Sequence, residues 1–344
     1  MNGVSGMNGS LAVTGIGVVT PWGDSPQAGA AERGRPRSGA WFDHRERLGR
    51  RGYKYLPPAA QYALAAARTA AADGGGSAPG GVPDDRRGLV FATNGGLAGV
   101  LDTMDETVVE GPGAHGLSPA LAPYFAVNVL GNRVAAELGL KGLALTVASP
   151  VTASLDAVTT GARALSADRA GSLLLTAAEE PLPSGAGEQG AVALALEPAS
   201  AAHGRGAQVH GTLRSRSGFI PPKALTTGPG RERAAALLAG LVAELLPEPG
   251  TGPGAAPGPQ PAPQVRFVTD GSAGARAAAA MVADVLGTGH QEPGAPHGGT
   301  LAAALEVAHA VTARRGRTLV VAAGAHGQVG LGLVSSPAPL VELV

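Results

Sequence analysis

Apolar and polar positions along this chain follow two periods, and the period switches at short intervals. Leu143, Leu145 and Val147 alternate with their neighbours, as a half-buried strand requires. Leu155, Val158, Ala162 and Leu165 then recur at helical spacing. The pattern predicts a strand running through a sharp turn, inside 146–158, straight into an apolar helix. Such a junction has chemical potential, because the free N–H groups and the dipole of a helix start favour negative charge.

The same reading extends over the rest. A strand opens at Leu11 and closes in a glycine-rich turn near Gly23. An Ala-rich helix over 57–73 ends at Gly74, Gly75 and Gly76. A strand over 88–94 leads through Gly95 and Gly96 into a helix over about 97–109, and 119–138 carries another helix. Strands follow over 172–180 and 187–197. The second half repeats the outline: strand 207–217, helix 230–246, strand 265–269, helices 273–286 and 300–313, strands 318–323 and 328–335. Residues 24–56 read as irregular and charged, 74–83 and 181–186 as loops, and 247–263 as a Pro/Gly linker too poor in large apolar residues to pack. Two successive halves whose last two strands are adjacent imply an internal repeat. The expected fold class is α/β, with halves over 11–200 and 205–338 sharing a buried layer of helices.

Composition narrows the chemistry. Apolar residues are 44% of the 344, but aromatics only 3%, so the core must be built from Ala, Val and Leu. Lys plus Arg balance Asp plus Glu at 26 each, which leaves no basic footprint for nucleic acid. Arg45, Arg47, Arg50 and Arg51 read as a solvated loop. The absence of cysteine excludes disulfides, zinc–thiolate sites and thiol chemistry. No apolar run approaches the roughly 20 residues of a membrane span, and no signal peptide is read, so a cytoplasmic protein without membrane partners is expected. No Walker A run, no Gly-x-Ser-x-Gly and no metal-spaced histidines occur, and the lone Gly-x-Gly at 15–17 lacks the rest of a dinucleotide fingerprint. No cofactor and no metal are therefore expected.

Several stretches resemble β-ketoacyl synthases, the thiolase-like condensing enzymes. T-V-A-S-P-V-T-A-S-L-D-A over 146–157 is similar to that family's nucleophile elbow, T-V-S-T-A-C-A-S-G-L-D-A, and V-T-G-I-G-V-V-T-P-W-G over 13–23 to its opening strand. Pro123, Tyr124, Phe125 and Asn128 resemble its P-Y-F…N stretch, and Leu138 to Gly142 its G-L-R-G lead-in. Residues 172–180 resemble A-L-A-G-G-A-E-A, and 187–197 G-E-G-A-A-V-L-V-L-E. The long family insert between these two shrinks here to 181–186. The resemblance spans about 11–335 and implies the duplicated thiolase-like fold.

It also implies a site with its chemistry removed. Condensation needs a thiolate, two histidines, and backbone N–H groups for the oxyanion. Val151 stands at the cysteine and Asp270 at the first histidine, while His297 matches the second. Ala325 replaces the phenylalanine of the G-F-G-G gate, and Glu292 lies near the place of a lysine. Ser149, Thr152 and Ser154 carry hydroxyls beside Val151 and read as helix-start caps, as does Asp270. No catalytic set is intact. The resemblance points to the silent partner of a type II polyketide ketosynthase, the chain length factor, although that subunit usually has glutamine where Val151 stands. Its partners would be an active ketosynthase, in a heterodimer, and acyl carrier protein with its growing chain. A reduced or polyene product is the branch suggested by the valine and the short chain. By analogy, Leu97, Val100, Leu101 and Met104 would wall the acyl tunnel; ordinary core is the other reading of all four. Two alternatives stay open: a stand-alone acyltransferase, hydrolase or cyclase with His297 as base, and a noncatalytic scaffold for acyl carrier protein.

Overall fold

Strands from both halves of the chain make one sheet. The computed structural model describes residues 10–29, 41–75, 81–181, 188–246, 261–288, 298–314 and 316–336. The first half contains β1 (Leu11–Val19), α1 (His44–Arg47), α2 (Pro58–Asp73), β2 (Arg87–Thr93), α3 (Ala98–Val109), α4 (Asn128–Leu138), β3 (Ala144–Ala148), α5 (Ala153–Ser166), β4 (Ser172–Glu179) and β5 (Gly190–Pro198). A short α6 (Ala199–Gly204) leads to β6 (Gly211–Phe219), α7 (Gly228–Leu245), β7 (Gln264–Thr269), α8 (Ala273–Leu286), α9 (Leu301–Thr312), β8 (Arg317–Ala323) and β9 (Gln328–Ser335). The linker expected over 247–263 falls mostly outside the described residues, as do much of 74–83 and of 181–186.

The strand order is β3-β2-β4-β5-β1-β6-β9-β8-β7. Antiparallel pairing of β1 with β6, Leu11 against Leu213, joins the halves. Outward from that seam each half repeats one pattern. β1–β5 and β5–β4 are antiparallel and β4–β2 parallel; β6–β9 and β9–β8 are antiparallel and β8–β7 parallel. β3 continues the first half, parallel to β2, and has no counterpart among the described residues of the second.

Three apolar clusters define the layers. Leu155 and Val158 of α5, and Leu305 and Val311 of α9, share one cluster with Leu194 of β5 and Val320 of β8, so these two helices lie between the sheet halves. α2 and α4 cover the outer face of the first half through Leu64, Leu130 and Val134. α7 and α8 cover that of the second through Leu238 and Val282. This is the duplicated α/β arrangement with a buried helical layer that the sequence implied. Each fully buried leucine contributes about 1.5–3 kcal/mol.

The Gly-x-Gly of the opening strand has a packing role. A Cβ on Gly15 would lie 2.1 Å from Ala70 O, and one on Gly17 2.0 Å from Ala66 O. α2 therefore rests directly on β1, with alanines at Ala63, Ala66, Ala67 and Ala70 fully buried. One expected element divides. Residues 119–138 form a 3-10 segment, Pro119–Phe125, and then α4. Pro123 lacks the N–H a continuing α-helix would use.

Candidate active site: a strained strand-to-helix turn

β3 ends at Ala148 and α5 begins at Ala153, so four residues make the turn between them. Its apex is Val151, with φ 63°. The Thr152 N–H donates to Pro150 C=O at 2.6 Å, closing a three-residue turn around that residue. A β-branched side chain in the left-handed region is a steric outlier, costing about 1–2 kcal/mol. Burial offsets it, because the Val151 side chain is fully enclosed in the central core. The backbone thus keeps the strained strand-to-helix turn on which a nucleophile is displayed, while the side chain there is an isopropyl group.

The neighbouring hydroxyls do not cap α5 as expected. Its N-cap, Thr152, makes no side-chain capping bond. Instead Ser149 Oγ and Thr152 Oγ1 donate to Asp156 Oδ2 at 3.1 and 2.8 Å. Ser154 turns to α9, its N–H reaching Thr300 Oγ1 at 2.6 Å and its Oγ donating to Thr300 O at 3.2 Å. A carboxylate one turn into the helix and a threonine from the other half outcompete local capping.

Asp270 is also not the cap of α8; Ser272 is, accepting from Ala275 N–H at 3.2 Å. Asp270 accepts from Ser272 N–H at 3.0 Å and from Ala325 N–H at 2.6 Å. Burial raises its pKa, but these hydrogen bonds outweigh it and hold the carboxyl below its ordinary range. A Cβ on Gly324 would lie 3.7 Å from both Pro150 O and Asp270 Oδ2. Three of the vestigial positions, Val151, Asp270 and Ala325, therefore meet at the turn. His297 and Glu292 lie outside the described residues.

Sequence reasoning missed a cluster of buried carboxylates behind the turn. Glu179 accepts from the N–H groups of Asn94 (2.8 Å), Gly95 (2.7 Å) and Thr300 (3.0 Å). Glu188 accepts from Ala302 N–H at 3.1 Å. Glu180 accepts from Gly99 N–H at 2.8 Å and Ala59 N–H at 3.4 Å. Each carboxylate sits where helix N–H groups lack partners, at the starts of α2, α3 and α9. Burial pushes Glu179 up to about 7, with the Thr300 and Gly95 N–H groups opposing and the Glu188 charge adding. The available signal was a pair of acids closing an apolar strand.

The four α3 positions separate. Leu97 and Met104 are buried core, Val100 is half-buried and Leu101 is 43% exposed. Of the four, Val100 borders a cavity of about 360 Å³, together with Gly99, Thr103, Leu121, Glu180, Pro58 and Pro181. No three His, Cys, Asp or Glu side chains among the described residues are grouped to hold a metal ion. No helix among them is long and apolar enough to cross a membrane.

Comparison with known proteins fits this geometry. The family model described as β-ketoacyl synthase, N-terminal domain, matches residues 37–218, over half of the chain. A solved structure described as the ishigamide ketosynthase/chain length factor aligns with a TM-score of 0.72 at 20% identity, over 96% of this chain and 100% of that one. A type II polyketide synthase acyl carrier protein in complex with its ketosynthase bound to the hexaketide aligns with a TM-score of 0.72 at 17% identity, over 96% and 99%. At these identities the likeness concerns the fold. No curated protein matches by sequence. With the family model, the duplicated fold and the strained turn in agreement, the chain belongs to the β-ketoacyl synthase family.

Proposed function

We propose that this protein is the non-condensing partner of an active ketosynthase in type II polyketide assembly, a role like that of the chain length factor. The observation that carries it is Val151: the turn is kept, strained and buried, with no nucleophile on it. The partner would supply cysteine and histidines, and acyl carrier protein would bring the chain. This subunit would stabilise the pair and wall the space into which the chain grows. Further methylenes against that wall would overpack it at about 1–3 kcal/mol.

The surface of the first half supports a partner. β3 is an edge strand whose Ala144, Leu145 and Ala148 are exposed, and an open edge is a ready template for pairing. Leu101, Val108 and Val109 on α3, Phe125 on the 3-10 segment and Val127 before α4 are exposed apolar side chains on neighbouring elements. Co-expression with a type II ketosynthase tests the reading by size-exclusion mass. A one-to-one complex is expected; a homodimer indifferent to the ketosynthase would overturn it.

A second reading, acyl transfer or hydrolysis by this chain alone, has one observation in its favour. Ser149 and Thr152 both donate to Asp156. A carboxylate is a weak base for a hydroxyl whose proton must leave near neutral pH, so this reading ranks second.

A further inference from the structure

The cavity beside α3 is apolar apart from two side chains, Thr103 and Glu180. The Thr103 hydroxyl donates to Gly99 O at 2.9 Å within its own helix. Glu180 is different in origin. It stands where the β-ketoacyl synthase wording A-L-A-G-G-A-E-A has its final alanine, so this carboxyl is additional to the motif. It is 4% exposed and still borders the cavity.

Its hydrogen bonds leave capacity unused. Among the described residues its partners are the Gly99 and Ala59 N–H groups, at 2.8 and 3.4 Å. Both are donors. Burial raises its pKa against those two N–H groups. A carboxyl has about four lone-pair sites, so two donors leave part of its hydrogen-bonding capacity open toward the cavity. An apolar ligand would displace water from that capacity and offer nothing in its place.

We propose that the cavity takes a segment of acyl chain bearing a hydroxyl group, and that Glu180 hydrogen-bonds that hydroxyl. This deepens, and rests on, the reading of the cavity as the space for the growing chain. A volume of about 360 Å³ is at the small end of ligand sites, roughly 300–1,000 Å³. The remaining wall, from Pro58, Val100, Leu121 and Pro181, is apolar, so one polar contact fixes where along the chain the oxygen must lie. The substrate class implied is a partly oxygenated chain. A fully reduced alkyl or polyene segment would leave the remaining capacity of Glu180 unmet, contrary to the branch that the sequence suggested.

The test compares two probes on the purified protein, alone and in complex with its ketosynthase. Octanoyl pantetheine is set against an analogue with a hydroxyl toward the far end of the chain, and both dissociation constants are measured by calorimetry. The hydroxy probe is expected to bind about fivefold to tenfold tighter to the wild type, the worth of one hydrogen bond. Glu180→Leu should bring the ratio to one, while Glu180→Gln, which still accepts the two helix N–H groups and offers donors, should keep part of it. The preference is a ratio within one protein, so lost stability does not mimic it. A wild-type ratio near one overturns the proposal whether or not Glu180→Leu folds, and so does an undiminished ratio in Glu180→Leu. Binding of neither probe, alone or in the complex, overturns the chain-binding reading together with it.

Discussion

The two helices buried between the sheet halves begin in opposite ways. α9 starts under two buried carboxylates, with Thr300 N–H on Glu179 and Ala302 N–H on Glu188. α5 starts at a left-handed valine, has no side-chain cap, and passes its Ser154 N–H to the hydroxyl of Thr300. One helix start is neutralised by the protein's own anions. The other keeps the geometry of a site for a transient anion, without the atom that would create one. The fold invests strain at α5 and buried charge at α9. A catalyst could lose its thiol at Val151 without losing the scaffold, because what holds the turn lies in α9 and the glutamates.

The largest effect is therefore expected on the α9 side. Glu179→Ala removes the acceptor of three backbone N–H groups and should cost about 3–5 kcal/mol in urea unfolding. Glu179→Gln, which keeps an acceptor oxygen, should cost much less; equal losses would break the account of this cluster. Next is pH. A folded-state value of about 7, against an ordinary 4.5, means the folded protein binds this proton more tightly than the unfolded chain. That stabilisation is complete below about 4.5 and is lost as pH rises through about 7. It amounts to about 3 kcal/mol, and Glu179→Gln should flatten the trend. On the α3 side, Met104→Gly should cost about 2–5 kcal/mol as a core truncation. Val100→Gly, at the cavity, should lengthen the products of the reconstituted pair with less loss of stability. Unchanged product length with Val100→Gly would remove α3 from the tunnel. The smallest effect belongs to Asp270→Ala, which frees the Ala325 N–H; faster amide exchange at Ala325 is expected, with about 1 kcal/mol of destabilisation.

Sequence periodicity located nearly every strand and helix here because the elements are short and apolar, with turn residues between them. It also located the turn at Val151, where a strand period meets a helical one. What it could not supply was the destination of each polar group. Asp270 reads as a helix cap because Ser272 and α8 follow, but its shorter bond goes to Ala325, 55 residues on. Ser154 reads as a cap and pairs with Thr300, 146 residues on. Glu179 and Thr300 are 121 residues apart. The last two contacts cross from one half to the other, and local spacing carries no information about any of the three. The four tunnel candidates divide for a related reason. Analogy with the family put Leu97, Val100, Leu101 and Met104 together, whereas packing buries two of them, exposes Leu101 and leaves Val100 beside the cavity.

The central claim is that this subunit presents the turn of a condensing enzyme but carries no acyl group. Intact-mass measurement after incubation with acyl pantetheine and an active ketosynthase tests it most directly. The account predicts acyl mass on the ketosynthase and none on the wild-type subunit. An acyl adduct on the wild type, at Ser149, Thr152 or Ser154, would contradict it.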